Sequence, residues 1–514
     1  MTMTINKLAG MLLFLLPGTL AAQEDLNTKL KNYVDRFNSQ DNEAVINKID
    51  NKSSAAWMED NIPLFACPDS AIEETYYFRW WSYRKHIKET PLGTIVTEFI
   101  EPVSHAGKYN SISCALGHHI YEGRWLRNSD FLKEYVDFFM YHADEGEKRP
   151  RFHQFSSWVP DALLAYYMVD NDKTYLLDRL QDLDKDYLKW EEERQVSSGM
   201  FWQHDVKDGM EESVSGGRHV ENRRPTINSY MYANARALST IAKMAGNDSL
   251  KRNYDLKAER LQALLLDSLW DKEDQFFKTR LENGELHSAR EAIGFIPWGF
   301  HAVPDQRSYA GAWTQVIDTA GFKAPWGLTT AERREPTFRT RGSGHSCEWD
   351  GAIWPFASSQ TLRGMANFLA DYKHGKQITK TDFYEAVQQY AASHVMDGKA
   401  YIGEYQDEVT GFWLKGDNPR SKFYNHSTFA DVIIQDLIGF KPQLGNSFEL
   451  KPLIPQEQWA YFTLQGVPYK NKSVDIYWDV DGTQYGKGKG LTVYVDGKRI
   501  AKSKKLKSIK VNLK

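Results

Sequence analysis

From about Ala55 to Gly439 the chain repeats one pattern, an amphipathic helical stretch followed by a loop of very uneven length. In Tyr230–Gly246, Met231, Leu238, Ile241, Ala242 and Ala245 share one face, and Gly246-Asn247 supplies a stop signal. Tyr254–Leu269 repeats the pattern through Leu261, Leu264, Leu265 and Leu269. A helix with one apolar face must bury it against a neighbour, so two such helices in succession predict an antiparallel hairpin. Further helical stretches fall at Glu74–Ile87, Ser111–Trp125, Asp130–Ala143, Trp158–Val169, Tyr175–Trp190, Ala310–Ala320, Ala352–Asp371, Lys380–His394 and Ser427–Leu437. Their number approaches the twelve helices of six hairpins. The expected fold is therefore mainly α, an (α/α)6 barrel whose long loops at one end build the site.

The pattern changes after Gly439. Short runs such as Trp459–Leu464, Ser473–Trp478, Leu491–Val495 and Ile509–Leu513 alternate between turn signals that include Asp481-Gly482 and Asp496-Gly497. Residues 445–514 are expected to form a small β-sandwich-like domain that packs against the barrel, which itself would span 23–440. Phe276–Leu281 with Glu282-Asn283-Gly284 reads as a small surface hairpin. At the N-terminus, Lys7, an apolar run from Leu8 to Leu20 and the small residues Ala21 and Ala22 have the three-part pattern of a secretory signal peptide over residues 1–22. The run is short for a membrane span. A mature protein beginning near Gln23, periplasmic or secreted and without membrane insertion, is the expectation.

A net charge of −4 argues against a nucleic-acid partner, which needs a clustered basic face. The basic tail of Lys502, Lys504, Lys505 and Lys507 reads as a solvated strand edge. Three well-separated cysteines, Cys67, Cys114 and Cys347, allow at most one bridge and no disulfide framework. No metal-ligand spacing appears, and the adjacent His118 and His119 point to different faces of a helix, so neither metal nor cofactor is implied. Aromatics make up 13% of the residues, enough to supply flat faces for sugar rings as well as core.

Cleavage of a glycosidic bond needs one carboxylic acid to protonate the leaving oxygen and a carboxylate to activate water or attack carbon. Two Gly-containing, aromatic-flanked stretches offer such groups. One runs from Trp202 to Ser213 and holds Asp205, Asp208, Glu211 and Glu212; the other runs from Tyr401 to Gly411 and holds Glu404, Asp407 and Glu408. Only the fold can bring them together.

Gly209-Met210-Glu211-Glu212-Ser213 resembles the Ser-Gly-x-Asp-Asp/Asn segment of the family 63 glycoside hydrolases and their mannosylglycerate-hydrolase-like relatives. Ile402-Gly403-Glu404-Tyr405, with Thr410-Gly411 downstream, resembles that family's base segment. Pro225–Gly246 is similar to the helix after the acid loop, and Trp349–Pro355 to an Arg-Gly-Pro-x-Trp-Pro type segment. The resemblance runs over roughly 70–440 and implies an (α/α)6 barrel, an inverting mechanism, Glu211 as general acid and Glu404 as general base. Three positions depart from the pattern: Asp208 replaces a Ser, Glu211 an Asp, and Asp350 sits where a basic residue is common. Glu212 or Asp208 could hold the acid role instead. Repulsion from Asp208 and Glu212 is expected to keep Glu211 protonated.

For contacts to an oligosaccharide or polysaccharide fragment the candidates are Arg79, Trp81, Trp202, His204, Trp349, Asp350 and Trp413, with Trp80 and Trp354 equally readable as core. Arg79 and Asp350 could pair with each other, since a buried charge needs a partner. The resulting reading is a secreted glycosidase, exo-acting on an α-linkage. Two others compete with it: a lyase acting on uronic-acid sugars through Tyr232, His204, His219 and Arg218, and a sugar-binding protein without catalysis.

Overall fold

The computed structural model describes residues 25–142, 154–340, 347–374, 376–416 and 418–513. Among these, six helical segments form a closed inner ring: Leu116–Gly123, Val159–Asp170, Pro225–Met244, Ala292–Gly299, Pro355–Asp371 and Phe429–Leu437, each touching the next and the last touching the first. Six more lie outside them: Ser70–Lys85, Phe131–His142, Lys173–Arg194, Asp248–Ser268, Arg307–Val316 and Lys380–Ala392. This is the (α/α)6 barrel that the helical periodicity implies.

The two rings differ in how the sequence folds them. Outer helices carry one apolar stripe; Asp248–Ser268 buries only Tyr254, Ala258, Leu261 and Leu265. Inner helices are buried almost all round, as in Pro225–Met244, where small and polar residues such as Ala233, Asn234 and Ser239 are also enclosed. Close packing there rests on missing side chains. A Cβ on Gly117 would lie 2.3 Å from the Trp158 ring. The Arg79 guanidinium, fully enclosed in the outer helix Ser70–Lys85, donates to both oxygens of Glu122, to Ser82 and to Asn425 Oδ1. That helix is enclosed because an additional helix, Leu26–Ser39, lies over it through Leu30, Val34 and Phe37, capped by Asp25 accepting from the Thr28 N–H.

The C-terminal residues form two antiparallel sheets. Tyr461–Tyr469, Lys472–Asp479, Gly490–Val495 and Lys498–Ser503 are successive hairpin strands, with Asp496 (φ 48°) and Gly497 (φ 73°) in the left-handed turn between the last two. Phe440–Pro442, Ser447–Leu450 and Ile509–Asn512 make the second sheet, and the two meet through Phe440, Phe448 and Tyr469. The larger sheet takes its edge strand from the other end of the chain: Leu64, Phe65 and Ala66 pair with Gln465, Leu464 and Thr463. Phe276–Phe277 pairs back on Trp270–Asp271, while Arg280 and Leu286 bridge across Gly284. All three cysteines are buried and free. No described helix is long and apolar enough to cross a membrane. Residues 1–22 lie outside the described residues.

Candidate active site

The turn before Glu211 decides where its side chain goes. Asp205–Asp208 is one helical turn, ended by Gly209 at φ 70°, a conformation that favours glycine. Asp205 holds the residues after that turn in place. One of its carboxylate oxygens accepts from the Val206 N–H at 2.6 Å, the other from the Glu212 N–H at 3.2 Å, and its carbonyl accepts from the Met210 N–H at 3.0 Å. Glu212 itself sits at φ 62°. Asp208 is buried beneath the loop, where it accepts from Arg224 Nε at 2.6 Å and from the hydroxyls of Thr226 and Ser156. Of the three acids considered for one role, Glu211 lines the cavity that Glu404 also lines, Asp208 is held in an internal ion pair, and Glu212 does not line it.

Glu404 is positioned by close approach on both sides. A Cβ on Gly403 would meet the Trp413 ring at 2.8 Å and Ser421 Oγ at 3.0 Å, and the Glu404 N–H donates to that hydroxyl at 2.9 Å. Arg420 Nε lies 3.4 Å and Lys415 Nζ 3.8 Å from the buried carboxylate.

Glu211 and Glu404 face one cavity of about 330 Å³ whose walls also include Glu98, Cys114, Lys207, Arg218, Arg420 and His426. Glu98, in the apolar run Ile95–Ile100, is a third carboxylate that no motif marks. His426 Nε2 lies 3.0 Å from Glu98 Oε1, the Tyr424 hydroxyl donates to the same oxygen, and the Cys114 thiol donates to Oε2 at 3.1 Å. Glu98, Cys114 and His426 each present one ligand atom within 4.8 Å of the others, a set of the kind a zinc ion could use. Hydrogen bonds from Tyr424 and Cys114 satisfy the Glu98 carboxylate, whereas neither ring nitrogen of His426 has a hydrogen-bond partner among the described residues.

The carboxyls differ in environment. Burial pushes Glu211 up to about 7, with Glu98 and Asp205 adding to it and Arg218 opposing. The expected repulsion from Asp208 and Glu212 is not what raises it, because Asp208 is spent on Arg224. Burial also raises Glu404, while Lys415 and Arg420 pull it back. For Glu98, burial is outweighed by His426, Tyr424 and Cys114, which hold it at about 2.

Most of the expected sugar contacts lie elsewhere. Arg79 and Asp350 are not partners: Arg79 is enclosed with Glu122, and Asp350 accepts from Arg339 Nε at 2.6 Å. Trp81 is buried at a separate cavity, its N–H on Asn38 Oδ1 at 2.8 Å. Trp202 is packed under the Arg194 guanidinium and against His204, whose Nδ1 lies 3.0 Å from the Val220 carbonyl. Trp349 lies behind the acid loop, stacked at 4.2 Å on Trp354, which does line the cavity and stacks in turn on Tyr405. Trp413 supports the Glu404 loop, its N–H bonded to the Val395 carbonyl at 3.0 Å. The groups considered for elimination are not assembled either: Tyr232 reaches the His301 carbonyl, and of that set only Arg218 lines the cavity.

Solved structures place this architecture. A structure named "Sialidase" is 46% identical with a TM-score of 0.91 over 94% of this chain, which spans only 44% of that longer protein. The family 63 mannosylglycerate hydrolase from Thermus thermophilus, in complex with Tris and D-glycerate, is 14% identical with a TM-score of 0.53, covering 70% of this chain and 99% of its own. A family 78 rhamnosidase of a Bacillus species shares 10% identity and a TM-score of 0.56 over 81% of this chain and 40% of its own. At these low identities the last two show the fold alone. The family profile described as "Mannosylglycerate hydrolase MGH1-like glycoside hydrolase domain" matches residues 108–427, from the first inner helix through both carboxylate loops to His426. The chain belongs to this MGH1-like glycoside hydrolase family.

Proposed function

We propose that the chain hydrolyses an α-linked glycoside whose sugar or aglycone carries a carboxylate, working from the chain end with inversion, Glu211 as general acid and Glu404 as general base. The observation that carries this reading is one cavity faced by two carboxyls from loops far apart in sequence, and burial pushes one of them, Glu211, up to about 7. A protonated acid and an ionised base are what single displacement by water requires. Inversion needs roughly 6.5–9.5 Å between the carboxyls so that the water fits between base and anomeric carbon. Lys207, Arg218 and Arg420 on the same walls favour an anionic group on the substrate. The relative named "Sialidase" supports the same class. The apolar run from Leu8 to Leu20 supports action outside the cytoplasm.

The test is hydrolysis of paired α-glycosides with and without a carboxylate, sialosides, uronides and mannosylglycerate among them, with product anomers followed by proton NMR. Wild type should prefer the carboxylated member and release the inverted anomer. Glu211→Gln and Glu404→Gln should each lose about 10²–10⁴-fold in kcat, and Arg218→Ala should raise KM. Full activity in Glu211→Gln or Glu404→Gln removes that residue from the mechanism; a retained anomer rejects single displacement.

A further inference from the structure

Three side chains on the cavity wall form a group that a two-acid mechanism leaves without work. Glu98, Cys114 and His426 are each at most 2% exposed, so they are not a surface cluster of solvated groups. They come from separate parts of the chain: Glu98 follows the strand Gly93–Val96, Cys114 stands in the 3-10 turn before the first inner helix, and His426 lies just before the last. Because those two helices touch, the three residues meet where the inner ring closes. The backbone fixes the arrangement. The Asn425 N–H donates to the Glu98 carbonyl at 3.0 Å and its side-chain amide to the Thr97 carbonyl at 3.2 Å, which ties Glu98 to the residue preceding His426.

The two oxygens of Glu98 face different partners. The Cys114 thiol donates to Oε2 at 3.1 Å, and His426 Nε2 lies 3.0 Å from Oε1. One carboxylate oxygen, the sulfur and a ring nitrogen all lie within 4.8 Å of one another. Neither nitrogen of the enclosed imidazole has a hydrogen-bond partner among the described residues. A buried polar group left in that condition calls for an explanation, and an ion is one. A thiolate and an imidazole beside a single carboxylate suit zinc, whereas magnesium and calcium take oxygen ligands. Atoms bonded to one tetrahedral zinc at about 2.0–2.3 Å stand about 3.3–3.8 Å apart, so the three side chains need only small adjustments to share an ion.

We propose that Glu98, Cys114 and His426 form a zinc site whose fourth position opens on the cavity that Glu211 and Glu404 also line. Three protein ligands and one open place are the pattern of zinc sites that take a further ligand. The Cys114 thiol gives its proton to solvent as the sulfur binds the ion. The Tyr424 hydroxyl, which donates to Glu98 Oε1, supports the ligating carboxylate from outside. Cys347 is a second thiol on the same walls but does not belong to the converging set, which makes it the control. The site needs neither Glu211 nor Glu404 in a chemical role, so it stands apart from the hydrolytic reading.

The full chain, stripped with a chelator, loaded with Zn2+ and dialysed, should retain one zinc per chain by mass spectrometry. X-ray absorption at the zinc edge should then show one sulfur at about 2.3 Å and nitrogen or oxygen neighbours at about 2.0 Å. That reading uses the wild type alone and does not depend on any variant folding. Loaded with Co2+ instead, the chain should have a thiolate-to-metal charge-transfer band in the near ultraviolet that disappears in Cys114→Ser and persists in Cys347→Ser. Glu98→Gln and His426→Gln should each weaken Co2+ binding by at least about 10–100-fold, the loss that even a change outside the ligands causes. Acetate, the smallest carboxylate probe, should shift the visible cobalt bands by taking the fourth position; bands indifferent to it overturn the open site. A chain left without zinc after dialysis, a zinc shell with no sulfur or with two, or a charge-transfer band retained in Cys114→Ser overturns the proposal.

Discussion

At the scale of single residues, the site works by giving chemically identical groups different surroundings. Glu211 keeps its proton because it is taken out of water near other negative charges, whereas Glu404 is taken out of water beside Lys415 and Arg420. A bell-shaped pH profile follows. Activity should fall above about pH 7 as Glu211 ionises, and on the acid side as Glu404, itself raised, takes up a proton. Asp208 supplies the control. Asp208→Ala leaves Arg224 as an unpaired buried cation and should cost about 3–5 kcal/mol in denaturant unfolding, while the alkaline limb stays where it is. A shift of that limb in Asp208→Ala would mean that Asp208 shares the acid's proton. Glu211 and Glu404 are legible because they sit in short motifs beside glycines that have a stated conformational job. Glu98 is not, since nothing local marks it. Its one sequence signal is an acid inside Ile95-Val96-Thr97-Glu98-Phe99-Ile100, which demands a partner but does not say which.

At the scale of elements, the outer helices and most of the inner ones declare themselves in the sequence, and Ala292–Gly299 does not. Periodicity finds a helix when one face is apolar and the other is not, and Asp248–Ser268 meets that condition. Ala292–Gly299 is short and enclosed, so no polar face sets its phase. Ala310–Ala320 reads as a helix and resolves into a helical turn followed by 3-10 turns. Leu26–Ser39 carries a readable stripe of Leu26, Leu30, Val34 and Phe37, but it precedes the repeating pattern and so escapes a search for hairpins. The tryptophans expected on sugar lie elsewhere for a related reason: large flat residues beside a cavity-lining loop are as useful for stiffening it, and Trp413 and Trp349 do so from behind. The inner ring's dependence on small residues predicts that Gly117→Ala, by driving a methyl into Trp158, loses about 1–3 kcal/mol in thermal unfolding. A substitution at Gly246, where a Cβ would meet nothing within 4 Å, disturbs no packing and is the matched control for contact, though not for its φ of 72°.

At the scale of the whole molecule, the β-sheets are joined to the barrel at several places. The Lys470 N–H donates to the Val169 carbonyl at 2.6 Å, the Trp459 N–H to the Tyr384 hydroxyl at 2.9 Å, and Arg127 Nε to the Gly466 carbonyl at 3.3 Å. A chain ending at Gly445 would expose both Trp459-facing aromatics, Phe65 and Tyr384, together with the unpaired strand Leu64–Ala66. It should be recovered aggregated or with a broad, low-temperature melt, whereas the full chain unfolds in one transition; a truncated chain with the full-length melting temperature would show the β-region to be an independent appendage. The strand pairing of Ala66 with Thr463 has a further consequence, concerning time. Synthesis runs from the N-terminus, so the segment around Phe65 leaves the ribosome long before the strand that covers it exists. Every partial chain that stops short of Thr463 carries an open β-edge, which the strand Tyr461–Tyr469 then covers. Synthesis of Tyr461–Tyr469 and closure of this edge are thereby coupled, and a chain cut short before Thr463 is left with a strand it cannot cover.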